Sequence, residues 1–140
     1  MTNFEISTPH LITFPRIGKP AEGYISVAEV QKNIPFDVKR VYWTYYTPYN
    51  VQRGGHAHRH LFQVLIAVSG RIVISTENVI GNTDTFLLEN PDTGLFLPPP
   101  FWHTMQFSHN AVLLSLCSIE YQEADYIRNY DLFKSNNVNS

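Results

Sequence analysis

Hydrophobic residues in this chain fall in short runs broken by turn chemistry, and only one stretch has helical spacing. The run Val38-Lys39-Arg40-Val41-Tyr42-Trp43-Thr44-Tyr45-Tyr46 is rich in the β-branched and aromatic residues that strands favour. Residues 62–68 are nearly continuously apolar, Ser69-Gly70 interrupts them, and residues 71–76 resume the run. That pattern predicts a tight hairpin with glycine at its turn. Further strands are predicted over residues 85–88, 95–97, 104–107 and 111–118, the last two flanking the turn-like Ser108-His109-Asn110. Strands at such short intervals predict an all-β sandwich or barrel.

Pro98-Pro99-Pro100 cannot continue a central strand, because proline donates no ladder hydrogen bond, so it stiffens the approach to Phe101-Trp102-His103. A short C-terminal helix is predicted over residues 123–133, where Ala124, Ile127 and Tyr130 recur every third position. Residues 134–140 are polar and predict a frayed tail. No repeat or linker divides the chain, so residues 1–140 are expected to form a single domain.

Composition narrows the classes of function. Hydrophobic residues make up 44% of the 140 residues and charged residues 16%, enough for a core and unlike a disordered chain. A formal charge of −2 argues against nucleic-acid binding, yet leaves room for one anionic small molecule held by one or two arginines. The single cysteine, Cys117, excludes an internal disulfide framework and suits a reducing compartment. No apolar stretch has membrane-spanning length, and the first residues lack signal-peptide character. The expectation is a soluble, cytoplasmic domain with no membrane partner. Eight Tyr and nine Phe exceed what a thin β core can hide, which predicts a homodimer whose interface takes the remainder.

The chemistry concentrates in Arg53-Gly54-Gly55-His56-Ala57-His58-Arg59-His60. Alternate residues of a strand share a face, so His56 and His58 point the same way, with Cβ atoms roughly 6–7 Å apart. His60 joins them only if the strand continues. Gly54-Gly55 permits close approach of a ligand or forms a bulge. Two convergent imidazoles either ligate a metal or move protons near neutral pH.

His56-Ala57-His58, then Gln63 and Gly70, resembles the first cupin motif, and Pro98-Pro99-Pro100-Phe101-Trp102-His103 resembles the second. The resemblance implies an antiparallel jelly-roll barrel, in which metal-binding members would use the positions of His56, His58, Gln63 and His103. Gln63 stands where the motif has a carboxylate, Pro100 where it has Gly and Phe107 where it has Asn. A closer likeness is carried by Asn33-Ile34-Pro35-Phe36, Lys39-Arg40-Val41-Tyr42, Arg53 to His58, Pro99 to His103, and Tyr121-Gln122-Glu123-Ala124-Asp125-Tyr126-Ile127-Arg128-Asn129-Tyr130-Asp131. Together these resemble the dTDP-sugar 3,4-ketoisomerases of the WxcM-like cupin family across about residues 24–133, with residues 1–23 matching less clearly.

That resemblance implies a homodimeric enzyme with no cofactor and no catalytic metal. It would move the carbonyl of dTDP-4-keto-6-deoxyglucose from C4 to C3, toward 3-amino-3,6-dideoxyhexoses for surface glycans or glycosylated natural products. By position, His58 would be the base at C3 and His56 its proton-shuttling partner, the order within the pair being open. Arg53 and Arg40 would bind the diphosphate, with Tyr42 on the strand face of Arg40. Gln63 and His103 would meet the sugar or brace the pocket. Tyr126, Arg128 and Asp131 are expected to serve packing or the dimer. The residues alone leave open a metal-dependent cupin enzyme, a nucleotide-sugar epimerase or a non-catalytic sugar-binding cupin.

Overall fold

The structure is a computed structural model that describes residues 3–135. Strands dominate it: β1 (His10–Thr13), β2 (Arg16–Lys19), β3 (Gly23–Ser26), β4 (Arg40–Thr44), β5 (Gln52–His58), β6 (Gln63–Ser69), β7 (Ile72–Glu77), β8 (Thr83–Leu88), β9 (Thr93–Leu97), β10 (Trp102–Phe107) and β11 (Val112–Cys117). A 3₁₀ turn (Glu123–Asp125), the two-residue β12 (Tyr126–Ile127) and the helix α1 (Tyr130–Ser135) follow. Two five-stranded antiparallel sheets, ordered β1-β9-β6-β11-β4 and β12-β5-β10-β7-β8, face each other, and β2-β3 forms a separate ribbon.

β6 reads as continuously apolar because both of its faces are covered. Leu65 and Ala67 enter the core between the sheets with Ile72, Leu95, Phe107 and Leu113. Val64 and Ile66 pack outward against Phe14, Ile34 and Phe96. On the opposite sheet a smaller cluster of Ala57, Ile127 and Phe133 seats the C-terminal segment behind β5.

Two expectations change. The predicted hairpin at Ser69-Gly70 is not one, since β6 pairs with β9 and β11 while β7 pairs with β8 and β10. The turn instead carries the chain from one sheet to the other. Gly70 is required there: its φ is +71°, and a Cβ would lie 2.6 Å from the Ala111 Cα of the adjoining turn. The predicted helix over residues 123–133 is broken, because Tyr126 and Ile127 pair with His58 and Ala57 on the edge of β5. Helix formation resumes only after Asn129, whose side chain accepts from the Leu132 N–H at 2.9 Å as an N-cap. Of the predicted tail, Lys134 and Ser135 close α1, and residues 136–140 lie outside the described residues.

Candidate active site

A bulge in β5 builds the site. His103 pairs with His56 and Thr104 with Gly54, so Gly55 is the extra residue, and Gly54 and Gly55 carry φ of +81° and +76°. A Cβ on Gly54 would sit 2.8 Å from the His103 carbonyl oxygen, which explains the first glycine. The bulge has a consequence for side-chain direction. His103 and Met105 both face inward on β10, and their partners are His56 and Arg53. The inserted residue thereby brings Arg53 to the same face as His56, which plain alternation would have denied.

Three imidazoles meet on that face. The His56 ring lies 5.0 Å from His58 and 4.7 Å from His103, in both cases nearly perpendicular, and His58 and His103 are 6.1 Å apart. Tyr126 closes over the pair, its ring 4.9 Å from His56 and 4.5 Å from His58. β5 ends at His58, so His60 turns away and is exposed. A cavity of about 540 Å³ opens beside His56, walled by Arg40, Tyr42, Arg53, His56, Tyr126 and Arg128. Arg40 and Tyr42 alternate on the inward face of β4, with the Arg40 guanidinium 5.4 Å from the Tyr42 ring.

Burial keeps the imidazoles uncharged. It is the main influence on His56, joined by His58 and Arg128, and together they push His56 down to about 4. His58 is lowered by burial against the opposing hydrogen bond and charge of Asp125. His103, 2% exposed, is driven well below the ordinary histidine value by burial and its two neighbours. Its Nδ1 points at the Phe101 carbonyl at 3.4 Å. His58 Nδ1 donates to Asp125 Oδ2 at 3.0 Å, and the His60 N–H donates to Asp125 Oδ1 at 2.7 Å. At the mouth, Arg128 lies over the Tyr126 ring at 4.2 Å and donates to both carboxylate oxygens of Glu123. Those bonds, then one from Tyr121, hold Glu123 down at about 2.

His56, Arg53, Arg40 and Tyr42 therefore share one cavity wall, with His58 and His103 packed against His56. Gln63 is 2% exposed on β6 in the other sheet and is not part of that wall, and its Oε1 has no partner among the described residues. Tyr126 and Arg128, expected to serve packing, line the cavity, whereas Asp131 is exposed on α1. Asp125 went unnoticed as a histidine partner. Its clue was the signature Asp125-Tyr126-Ile127-Arg128, misread as helix. Among the described residues no group of three or more His, Cys, Asp or Glu side chains is arranged to hold a metal ion.

The two facing sheets and the cavity with His56 in its wall define a cupin-type barrel protein. Residues 7–138 match the family described as FdtA: WxcM-like, C-terminal, and the chain belongs to that family. It is 41% identical over 117 residues, 81% of this chain and 82% of the other, to the TDP-4-oxo-6-deoxy-alpha-D-glucose-3,4-oxoisomerase of Aneurinibacillus thermoaerophilus. The crystal structure of QdtA, a sugar 3,4-ketoisomerase from Thermoanaerobacterium thermosaccharolyticum in complex with TDP, superposes with a TM-score of 0.88 at 35% identity, covering 94% of this chain and 96% of that one. For the WlaRB TDP-quinovose 3,4-ketoisomerase of Campylobacter jejuni the values are 0.86 and 39%, covering 94% of this chain and all of that one. The dTDP-4-dehydrorhamnose 3,5-epimerase of Sulfolobus tokodaii, at 17% identity and a TM-score of 0.75, shares the fold alone.

Proposed function

We propose that this protein is a TDP-sugar 3,4-ketoisomerase that converts TDP-4-keto-6-deoxyglucose to its 3-keto isomer. The observation that carries the reading is the uncharged imidazole of His56, with His58 packed against it, in the wall of a cavity that three arginines also line, in a chain 41% identical to a TDP-4-oxo-6-deoxyglucose 3,4-oxoisomerase. Moving the carbonyl takes one proton from C3, delivers one to C4 and transfers one from O3 to O4. No electron leaves the sugar, so protons are all the protein must handle.

Exposure favours His56 as the base. It forms part of the cavity wall, while His58 is 5% exposed and bonded to Asp125. This reverses the order that the family motif suggested within the pair. An imidazole near 4 is a weak base, but the anionic diphosphate of a bound substrate would raise it toward neutrality. His56 takes the C3 proton to give an enediolate, His58 takes the proton from O3 and passes it to O4, and the imidazolium formed on His56 protonates C4 after exchange with solvent. Arg53 and Arg40 take the diphosphate in planar forks, and Arg128 adds a third cation once Glu123 yields it. Tyr42 orients the sugar beside Arg40, and His103 braces His56 from behind.

A homodimer is the proposed working unit. All eight residues of the β2-β3 ribbon are exposed, with Ile17 at 58% and Ile25 at 65%, and an isolated two-stranded ribbon is marginal in water. A second copy of the chain would cover it. Equilibrium sedimentation should give a dimer, and an Ile17→Asp, Ile25→Asp variant should dissociate. The proposed location is the cytoplasm, which suits the buried free thiol of Cys117, and the proposed destination of the product is aminodeoxyhexose synthesis for surface glycans. Among the described residues no helix is long and apolar enough to cross a membrane.

The test is incubation with TDP-4-keto-6-deoxyglucose in D₂O, followed by NMR. Expected are a carbonyl at C3 and deuterium at C4, with the C4 coupling giving the configuration. An inverted centre with the carbonyl still at C4 would make the protein an epimerase. Tight binding without deuterium incorporation would make it a sugar-binding protein.

A further inference from the structure

Asp125 has no role in the chemistry described so far, yet it is a buried carboxylate beside the cavity with both oxygens bonded. Its residue is 4% exposed, Oδ2 accepts from His58 Nδ1 at 3.0 Å, and Oδ1 accepts from the His60 N–H at 2.7 Å. Its backbone is fixed as well, the carbonyl accepting from the Arg59 N–H at 2.9 Å and the N–H donating to the Gln122 carbonyl at 3.0 Å. The next residue, Tyr126, is in register with His58 across β12 and β5. Main-chain pairing and side-chain bonding thus join the same two segments at adjacent positions.

We propose that Asp125 is a positioning residue that locks His58 in the tautomer with its proton on Nδ1, leaving Nε2 as the nitrogen that accepts and returns protons. A carboxylate can only accept, so the facing ring nitrogen must carry hydrogen. A neutral imidazole has one such hydrogen, and fixing it on one nitrogen gives the lone pair to the other. The second carboxylate oxygen is held by a main-chain N–H two residues beyond His58, so the carboxylate cannot rotate away without losing two bonds. The arrangement also stabilises the imidazolium that forms whenever His58 takes a proton.

The groups that face His58 come from several elements: His56 on β5, His103 on β10, Arg40 on β4, Tyr126 on β12 and Arg128 beyond it. Arg40 and Arg128 disfavour a second positive charge, and Asp125 is the acid that opposes them. Removing its charge should therefore move the pH at which His58 protonates downward.

The inference rests on the ketoisomerase reading for its catalytic consequence, but its structural claim can be measured without turnover. Long-range ¹H–¹⁵N NMR of the imidazoles reports which nitrogen of His58 is protonated. The expected result for the unaltered protein is Nδ1–H. In Asp125→Asn the amide keeps one oxygen for the His60 N–H but turns its NH₂ toward Nδ1, so the ring should switch to Nε2–H. Turnover should then fall about 10²-fold or more with TDP binding nearly unchanged, and the acid limb of kcat should shift to lower pH. Asp125→Glu should restore the tautomer in part and turnover with it. An Nε2–H tautomer in the unaltered protein overturns the proposal, as does an Asp125→Asn protein that is folded and keeps both kcat and the pH profile. If Asp125→Asn does not fold, the tautomer of the unaltered protein decides. If the unaltered protein does not isomerise the sugar, the functional reading fails and the tautomer still decides this one.

Discussion

At the scale of single residues, the site separates groups that touch substrate during the reaction from groups that bind it throughout. His56 belongs to the first kind. Replacing it by Asn keeps size and polarity but removes the proton acceptor, so kcat should fall about 10²–10⁴-fold while TDP binding holds. Single-turnover kinetics with calorimetric TDP titration checks this, and near-normal turnover would shift the base to His58. Arg53 is of the second kind, since its partner is phosphate in both ground and transition states. Arg53→Ala should raise KM far more than it lowers kcat. Gln63 offers a contrast. Its buried Oε1 lacks a partner among the described residues and it stands off the cavity wall, so Gln63→Met should leave KM unchanged and thermal stability equal or higher.

Among the elements, the C-terminal segment positions the catalytic strand. Phe133 on α1 is fully buried against Ala57 and Ile127 behind β5, and Trp102 packs on the same cluster. Tyr130 and Lys134 also donate to Glu77 on β7 at 2.6 and 3.1 Å. Phe133→Ala should cost about 3–5 kcal/mol in chemical denaturation, and activity should suffer because the histidines sit on the strand it supports. The strand pattern was legible in the chain because period-two alternation and β-branched runs are local. The run over residues 38–46 and those before and after Gly70 each became strands. What was not legible was their sheet membership: a turn with glycine fits a hairpin or a crossing between sheets equally well. The helix over residues 123–133 failed for a similar reason. Three-residue spacing is local, whereas the pairing of Tyr126 and Ile127 with β5 and the bond from His58 to Asp125 span more than sixty residues. The candidate site was half readable. His56-Ala57-His58 announced itself by strand spacing, but the inward turn of Arg53 depended on a bulge whose position only the register reveals.

For the whole molecule, the buried imidazoles tie stability to pH. His56, His58 and His103 all have lowered folded-state values, and each returns to about 6.5 when the chain unfolds. Above that pH both states are neutral and the contribution is fully present. As pH falls below about 6.5 the unfolded chain takes up protons that the folded chain refuses, so unfolding is favoured progressively. For His56 the loss continues to about 4, where the folded protein accepts the proton too. Glu123, held at about 2, extends the decline in the same direction, but only below the ordinary carboxylate range. The interval between pH 6.5 and 5 therefore belongs to the histidines. Thermal unfolding should show a clear fall in Tm across it, before any carboxylate titrates. His56→Asn, which removes one of the titrating groups, should flatten that slope. A Tm that is level from pH 7.5 to 5, or a slope unchanged in the variant, would mean that the imidazoles are charged or solvated in the folded protein. A cavity of that kind would hold an anionic sugar nucleotide by charge, but it would have no uncharged base to begin the isomerisation.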